Sequence, residues 1–260
     1  VRNSKNQGET KIKIASNADD FERKNFTQHT INQTAFLQLK DTRLETKPIH
    51  HLLSIKDAIW KTAIRLDTIC FVAYGARLNH RTLPRGKNYY IHTSRTENAK
   101  LFTEGACIER YTFRQYGWLD YQPDEHYNPM FPELFETEKL MFIRIVKDRL
   151  RFAYDNQGFY NSHTVINCVK YDLLQNVSFV SVKRALKEVD IAVAANYNYK
   201  FLLAILNSNL INWYFLHFLS DALNFYPDDA KSLPIPKLPL SAQTPFVKIV
   251  DYFLFLKKQT

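Results

Sequence analysis

The stretch YKFLLAILNSNLINWYFLHFL (residues 199–219), a polar loop, and then LPIPKLP (233–239) decides how the rest of the chain is read. Its first half is almost wholly apolar, and a helix apolar all round is normally buried in a core or a membrane. Asn207, Ser208, Asn209 and Asn212 interrupt it, so the pattern predicts a buried helical pair broken near 207–209. Residues 201–219 carry no formal charge over a length that could span a bilayer. The polar residues near the middle, His217 beyond them and the lack of a second span argue for a core segment and no membrane partner. The prolines that follow cannot continue a helix and must run extended. A buried pair followed by a rigid strap is a scaffold for the strand-rich, basic chain upstream.

The 260 residues are enough for a substantial core. Only 6 glycines occur, against 15 Tyr and 19 Phe, which disfavours Gly-rich nucleotide loops. The formal charge of +9 predicts affinity for polyanions. Cys70, Cys107 and Cys168 lie far apart with no C-x-x-C spacing. That pattern reads as reduced, buried thiols in a cytoplasmic protein, with no metal site. The chain begins with Val1 rather than Met, as expected of a piece of something longer.

Residues 1–50 are polar and read as a linker or N-terminal arm with short extended pieces such as 35–39. Pro48 and the surface pair His50 and His51 precede a helical pattern of Ile55, Ile59, Ala63 and Leu66, with Ser54 as N-cap. TICFVAY (68–74) is a buried strand. The loop RLNHRTLPRGK (77–87) follows, and residues 76–114 hold eight Lys/Arg against three Glu. Arg and Lys neutralise phosphates, while Arg to guanine and Asn to adenine are favoured base contacts. Arg77, Asn79, His80, Arg81, Arg85 and Lys87 are therefore expected to enter or flank a DNA groove. Arg110, Arg114, Arg149, Arg151 and Lys231 are expected to meet phosphates, and His163 either.

Residues 106–111 read as a short strand, and KLMFIRIV (139–146), apolar on both faces, as a central one. Val146, Lys147 and Asp148 make a turn into RLRFAYD (149–155), and residues 159–169 form a third strand. Together they predict an antiparallel meander with a basic outer face. Asp155 is assigned to a turn, not to catalysis. Residues 177–182 read as strand, and 183–188 as a charged helix or loop. Phe246, Ile249, Val250, Phe253 and Leu254 mark an amphipathic C-terminal helix. Nucleotide, zinc-protease, nucleophile-elbow and amino-methyltransferase motifs are absent, so no catalytic residue is assigned.

Six segments, in order, resemble the TaqI-like specificity domain of adenine-specific DNA methyltransferases and type IIG restriction–modification enzymes. They are LDTICFVAYGA (66–76), GACIERY (105–111), FETEKLMFIR (135–144), DNQGFY (155–160), LAILNSNLINWYF (203–215) and LPIP (233–236). The last two are the most specific. Residues 171–195 are long for the pattern. The resemblance implies a target recognition module for double-stranded DNA, working with a methyltransferase domain of the same polypeptide. It also implies S-adenosylmethionine, and Mg2+ if a nuclease is present, held outside this chain. The expected fold is α+β: a basic antiparallel β-rich part (66–182) packed on a helical part (199–240), then a C-terminal helix (241–260). The rival reading is a protein–protein interaction scaffold whose basic surface is incidental.

Overall fold

The computed structural model describes residues 8–39, 49–146, 148–219 and 224–259. Pro48, Lys147 and part of the polar loop, at 220–223, lie outside the described residues. Near the start, β1 (Glu9–Ile14) and β2 (Thr27–Asn32) pair antiparallel around the short helix α1 (Ala18–Glu22), capped by Asn17. The expected extended piece at 35–39 is instead helical: α2 (Gln33–Phe36) is capped by Asn32. Ala35, Phe36 and Leu39 turn inward and join the main core, which ties this arm to the body.

Helix α3 (His50–Thr62) starts earlier than its expected cap. Ser54 lies inside it and donates to the His51 carbonyl at 2.8 Å. The chain then runs through β3 (Ala63–Arg65) and a tight turn into β4 (Cys70–Tyr74). Short strands follow: β5 (Arg77–His80), β6 (Ile91–His92), β7 (Lys100–Thr103), β8 (Gly117–Leu119) and β9 (His126–Asn128). Residues 106–111, expected as strand, open on a single turn at Gly105–Cys107 and make only isolated bridges. After α4 (Glu133–Glu136) come β10 (Lys139–Ile143), β11 (Phe152–Asp155), β12 (Tyr160–Asn161) and β13 (Val165–Lys170).

The main sheet has the order β11-β10-β13-β4 and is antiparallel throughout. It is not the expected meander. After β11 the chain leaves to pair β12 with β7 in a second sheet, β12-β7-β8-β6. It returns as β13 on the other side of β10. The reason lies in β10 itself: Leu140, Met141 and Phe142 are all fully buried, so this strand needs neighbours on both edges.

The helical part begins with α5 (Val180–Leu186), where 177–182 was expected to be strand. Val182, Ala185 and Leu186 recur at helical spacing and all pack on the core, which outweighs the local alternation. Then come α6 (Ile191–Ala195), α7 (Tyr199–Leu206) and α8 (Asn209–Tyr214), which continues as a π-turn through Phe215–Leu219. No single described helix is long and apolar enough to cross a membrane; α7 and α8 are bent by 52° at their break.

The interrupting asparagines explain that break. Asn207, 1 % exposed, accepts from the Phe152 amide at 3.0 Å and donates to the Phe152 carbonyl at 2.9 Å. Asn212 accepts from the Leu150 amide at 2.9 Å. Ser208 caps α8 through the Ile211 amide. The helix pair thus pays out its polar groups to the free edge of β11.

Helix α9 (Pro227–Lys231) leads into β14 (Pro234–Pro236), the strap. It pairs antiparallel with β3, Ile235 opposite Ile64. Proline is tolerated on such an edge because no donor is required there. Helix α10 (Leu240–Gln259) closes the chain. Val250 is buried and Phe246 packs edge-on against Phe201 at 5.3 Å. Gln243 is fully buried and ties the helix down, donating to the Asn196 and Leu238 carbonyls and accepting from the Asn198 amide.

Candidate nucleic-acid interface

Antiparallel pairing gathers several chain reversals at one end of the main sheet. Ile143 at the end of β10 faces Val165 at the start of β13. Ile166 faces Tyr74 at the end of β4, and Phe142 faces Phe152 at the start of β11. Arg144, His163, Arg77, and the pair Arg149 and Arg151 therefore all flank the same end. Arg110 joins them because Tyr111 bridges Ala153 in β11. Strands lie about 4.8 Å apart, so the row from β11 to β4 is roughly 14 Å wide.

The opposite end is self-neutralised. Lys139 and Asp155 form a fully buried ion pair. Asp155 also accepts from the Gln157 and Phe159 amides, so it organises a turn. Burial pulls the Lys139 ammonium below its ordinary pKa, and Asp155 opposes that shift.

The side chains expected at DNA divide by what already holds them. Arg77 and Asn79 project from β5, with Leu78 buried between them. Arg77 lies 5.9 Å from the Tyr127 ring centroid. Among the described residues, Asn79, Arg114 and His163 have no side-chain hydrogen bond or ion pair.

Other members are engaged within the protein. His80 Nδ1 accepts from the Thr82 and Leu83 amides at 3.0 and 2.9 Å, shaping the loop. Arg81 donates to the His126 carbonyl at 2.6 Å. Arg85 lies 4.5 Å from the Tyr89 centroid. Lys87 donates to the nearly buried Glu104 at 2.6 Å. Arg110 and Arg149 both donate to the Asn207 carbonyl, at 2.9 and 3.3 Å. Arg151 pairs with Asp148, and Lys231 with Asp228, each at 2.8 Å.

Glu104 is the hub of the Lys87 contact. It also accepts from Ser162 at 2.8 Å and Thr164 at 2.6 Å. Burial alone would raise its pKa, but the hydrogen bonds from Lys87, Thr164 and Ser162 outweigh it and hold the carboxyl below its ordinary value. The network pins the end of the basic loop to the start of β13.

A small notch of about 200 Å³ opens at the β4 side of this sheet end, lined by Tyr74, Arg77, Tyr127, Asn128, Arg144 and His163. Gly75 forms its floor because nothing larger fits: a Cβ there would lie 2.2 Å from Asn161 Oδ1 and 2.4 Å from the Ser162 carbonyl. Arg144 Nε is buried with no partner among the described residues, at a cost of about 1–3 kcal/mol when unsatisfied. Its guanidinium lies 5.9 Å from the Tyr226 centroid. Burial lowers the pKa of His163; Arg77, Lys87 and Arg144 lower it further, and Glu104 opposes them. These influences favour the neutral imidazole.

Arg144, Tyr127, Asn128 and Tyr74 were not among the expected site residues. Arg144 had a visible signal, being the one cation directly after the apolar run of β10. Asn128 had none, because only the pairing of β5 with β9 sets it opposite Arg77. A larger open groove, lined by Arg110, Arg149, Arg151, Phe253 and Leu256 among others, lies between the β11 edge and α10. It contains Glu109 and Asp148 as well, so its charge is mixed.

A family model described as the TaqI-like C-terminal specificity domain matches residues 100–240. No curated protein matches the chain. Among solved structures, it is similar to a chain from a study of complex assembly and conformational transition of the type I R-M system, at TM-score 0.43 and 12% identity, covering 79% of this chain and 44% of that one. The HsdS subunit from Thermoanaerobacter tengcongensis gives TM-score 0.41 and 13% identity, covering 79% of this chain and 43% of that one. The S subunit of a type I restriction–modification system from M. genitalium gives 0.37 and 13%, covering 81% and 45%. The chain thus spans less than half the length of these solved chains. The family match covers more than half of the 260 residues, and the chain belongs to the TaqI-like C-terminal specificity domain family.

Proposed function

We propose that this chain is a sequence-specific, double-stranded DNA recognition module of a restriction–modification enzyme. One observation carries the reading: in a specificity-domain family, the fold sets a row of cations along one end of its main sheet. Asn79 on the exposed β5 ribbon is the candidate base reader, and Arg77 beside it flanks the groove. Arg114, Arg149 and Arg151 are candidate phosphate contacts. His80, Arg81 and Lys87 act mainly by shaping the loop that carries the reader. The module would position a methyltransferase domain, with or without a nuclease, of the same polypeptide. S-adenosylmethionine, and Mg2+ for a nuclease, would be bound by those domains. Among the described residues no group of His, Cys, Asp or Glu could hold a metal ion.

The test is binding of the chain to a pool of duplexes at low and moderate salt. Affinity should fall steeply with salt, the log–log slope being about −0.9 per phosphate neutralised. Asn79→Ala should relax preference at one base position, costing about 1–3 kcal/mol there. Absent or salt-insensitive binding would sink the reading.

That outcome would favour a protein–protein scaffold. The observation on its side is the outer face of α10, where Ile249, Tyr252, Phe253, Phe255 and Leu256 are exposed.

A further inference from the structure

We propose that the notch at the β4 side of the sheet end is a phosphodiester site, with Arg144 and His163 as ligands in addition to Arg77. The inference rests on the DNA reading above and specifies which part of the duplex this surface takes. Sign comes first. Arg77, Arg144 and His163 line the notch and no carboxylate does. Neither Arg77 nor Arg144 forms an ion pair or a side-chain hydrogen bond among the described residues. Asn128, Tyr74 and Tyr127, all neutral and polar, complete the lining with Gly75.

Shape decides between base and backbone. Base edges lie on the floor of a major groove about 8.5 Å deep, so they are reached by protruding elements. Phosphates stand out from the duplex, so a concave cationic notch meets the backbone. The Arg guanidinium fork matches two phosphate oxygens at once. The protruding β5 ribbon beside the notch is left to face the groove.

His163 adds a proton to the equilibrium. The charged groups facing it are Arg77 from β5, Lys87 and Glu104 from the flanking loops, and Arg144 from the end of β10. Glu104 is held by Lys87, Ser162 and Thr164, so the imidazole has no free anion beside it. A phosphate in the notch favours the imidazolium, and binding takes up as much as one proton. Duplex affinity should therefore rise as pH falls toward the depressed free-state pKa of His163, by at most tenfold per pH unit.

The experiment measures duplex affinity against salt and pH for the wild-type chain, Arg144→Gln, Arg144→Lys and His163→Gln. Thermal melting checks that each variant is folded. Expected are a salt slope shallower by about 0.9 for Arg144→Gln, partial retention of affinity in Arg144→Lys, and loss of the pH dependence in His163→Gln. Inorganic phosphate, followed by the His163 imidazole resonances, should shift them in wild type and not in Arg144→Gln. Salt-dependent duplex binding unchanged in slope by Arg144→Gln overturns the notch while the DNA reading stands. Phosphate binding at His163 without any salt-dependent duplex binding overturns both, leaving a site for free phosphate. An unchanged pH profile in His163→Gln removes His163 from the proposal.

Discussion

Asn207 does for the sheet what a neighbouring strand would do. Its amide completes both backbone groups of Phe152 from a position that helix α7 must break to reach. Asn207→Ala leaves the buried Phe152 N–H without a partner and its C=O with the Tyr111 amide only, so it should destabilise the fold by about 1–3 kcal/mol in denaturant titrations. Asn207→Asp keeps only the acceptor and should recover part of that loss. Glu104 makes a different kind of contribution, one that depends on pH. Its folded-state pKa is depressed, so its stabilisation is present above the unfolded-state value and is lost as pH falls through the folded one. Glu104→Gln should flatten the stability–pH curve on its acid side and leave little change in its shape above pH 6. A melting curve that keeps its acid slope in this variant would show that Lys87, Ser162 and Thr164 hold Glu104 without favouring its charged form.

At the level of elements, what could be read from the chain was what local chemistry determines. The break at Asn207, the strap of prolines and the central placement of β10 each follow from residues adjacent in sequence. Sheet order does not, because β12 departs to pair with β7 before β13 returns, and nothing near Tyr160 announces a partner at Phe102. Residues 177–182 misled for the same reason: their alternation is genuine, but Val182, Ala185 and Leu186 find the core only through a helix. The candidate site was half legible. Charge density pointed to 77–87, whereas the capture of Arg81 by the His126 carbonyl and of Lys87 by Glu104 depends on contacts remote in sequence. The strap offers a direct check on element-level coupling. Ile235 is fully buried where β14 meets β3, and Ile235→Ala should cost about 2–4 kcal/mol. The loss should appear as one cooperative transition, since strap, α3 and sheet share a single core.

For the molecule as a whole, the net charge of +9 matters less than its distribution. One end of the main sheet holds the buried Lys139–Asp155 pair, while the other gathers Arg77, Arg144 and Arg149, which form no ion pair among the described residues. Long-range attraction to a polyanion should therefore orient the domain as well as retain it. Moving the same number of cations elsewhere on the surface should preserve low-salt retention on DNA and lose site preference. The β11 edge bears on a separate matter, the behaviour of many copies together. An uncovered edge strand is a template for pairing with another chain. Here Tyr111, Asn207 and Asn212 occupy the outward backbone groups of Leu150 and Phe152. Asn207 is thus a guard against self-association as well as a brace. Asn207→Ala should aggregate faster than an equally destabilised Ile235→Ala, with growth of cross-β signal by thioflavin fluorescence at matched fractions unfolded. Equal rates would mean that Tyr111 and Asn212 suffice to shield the edge.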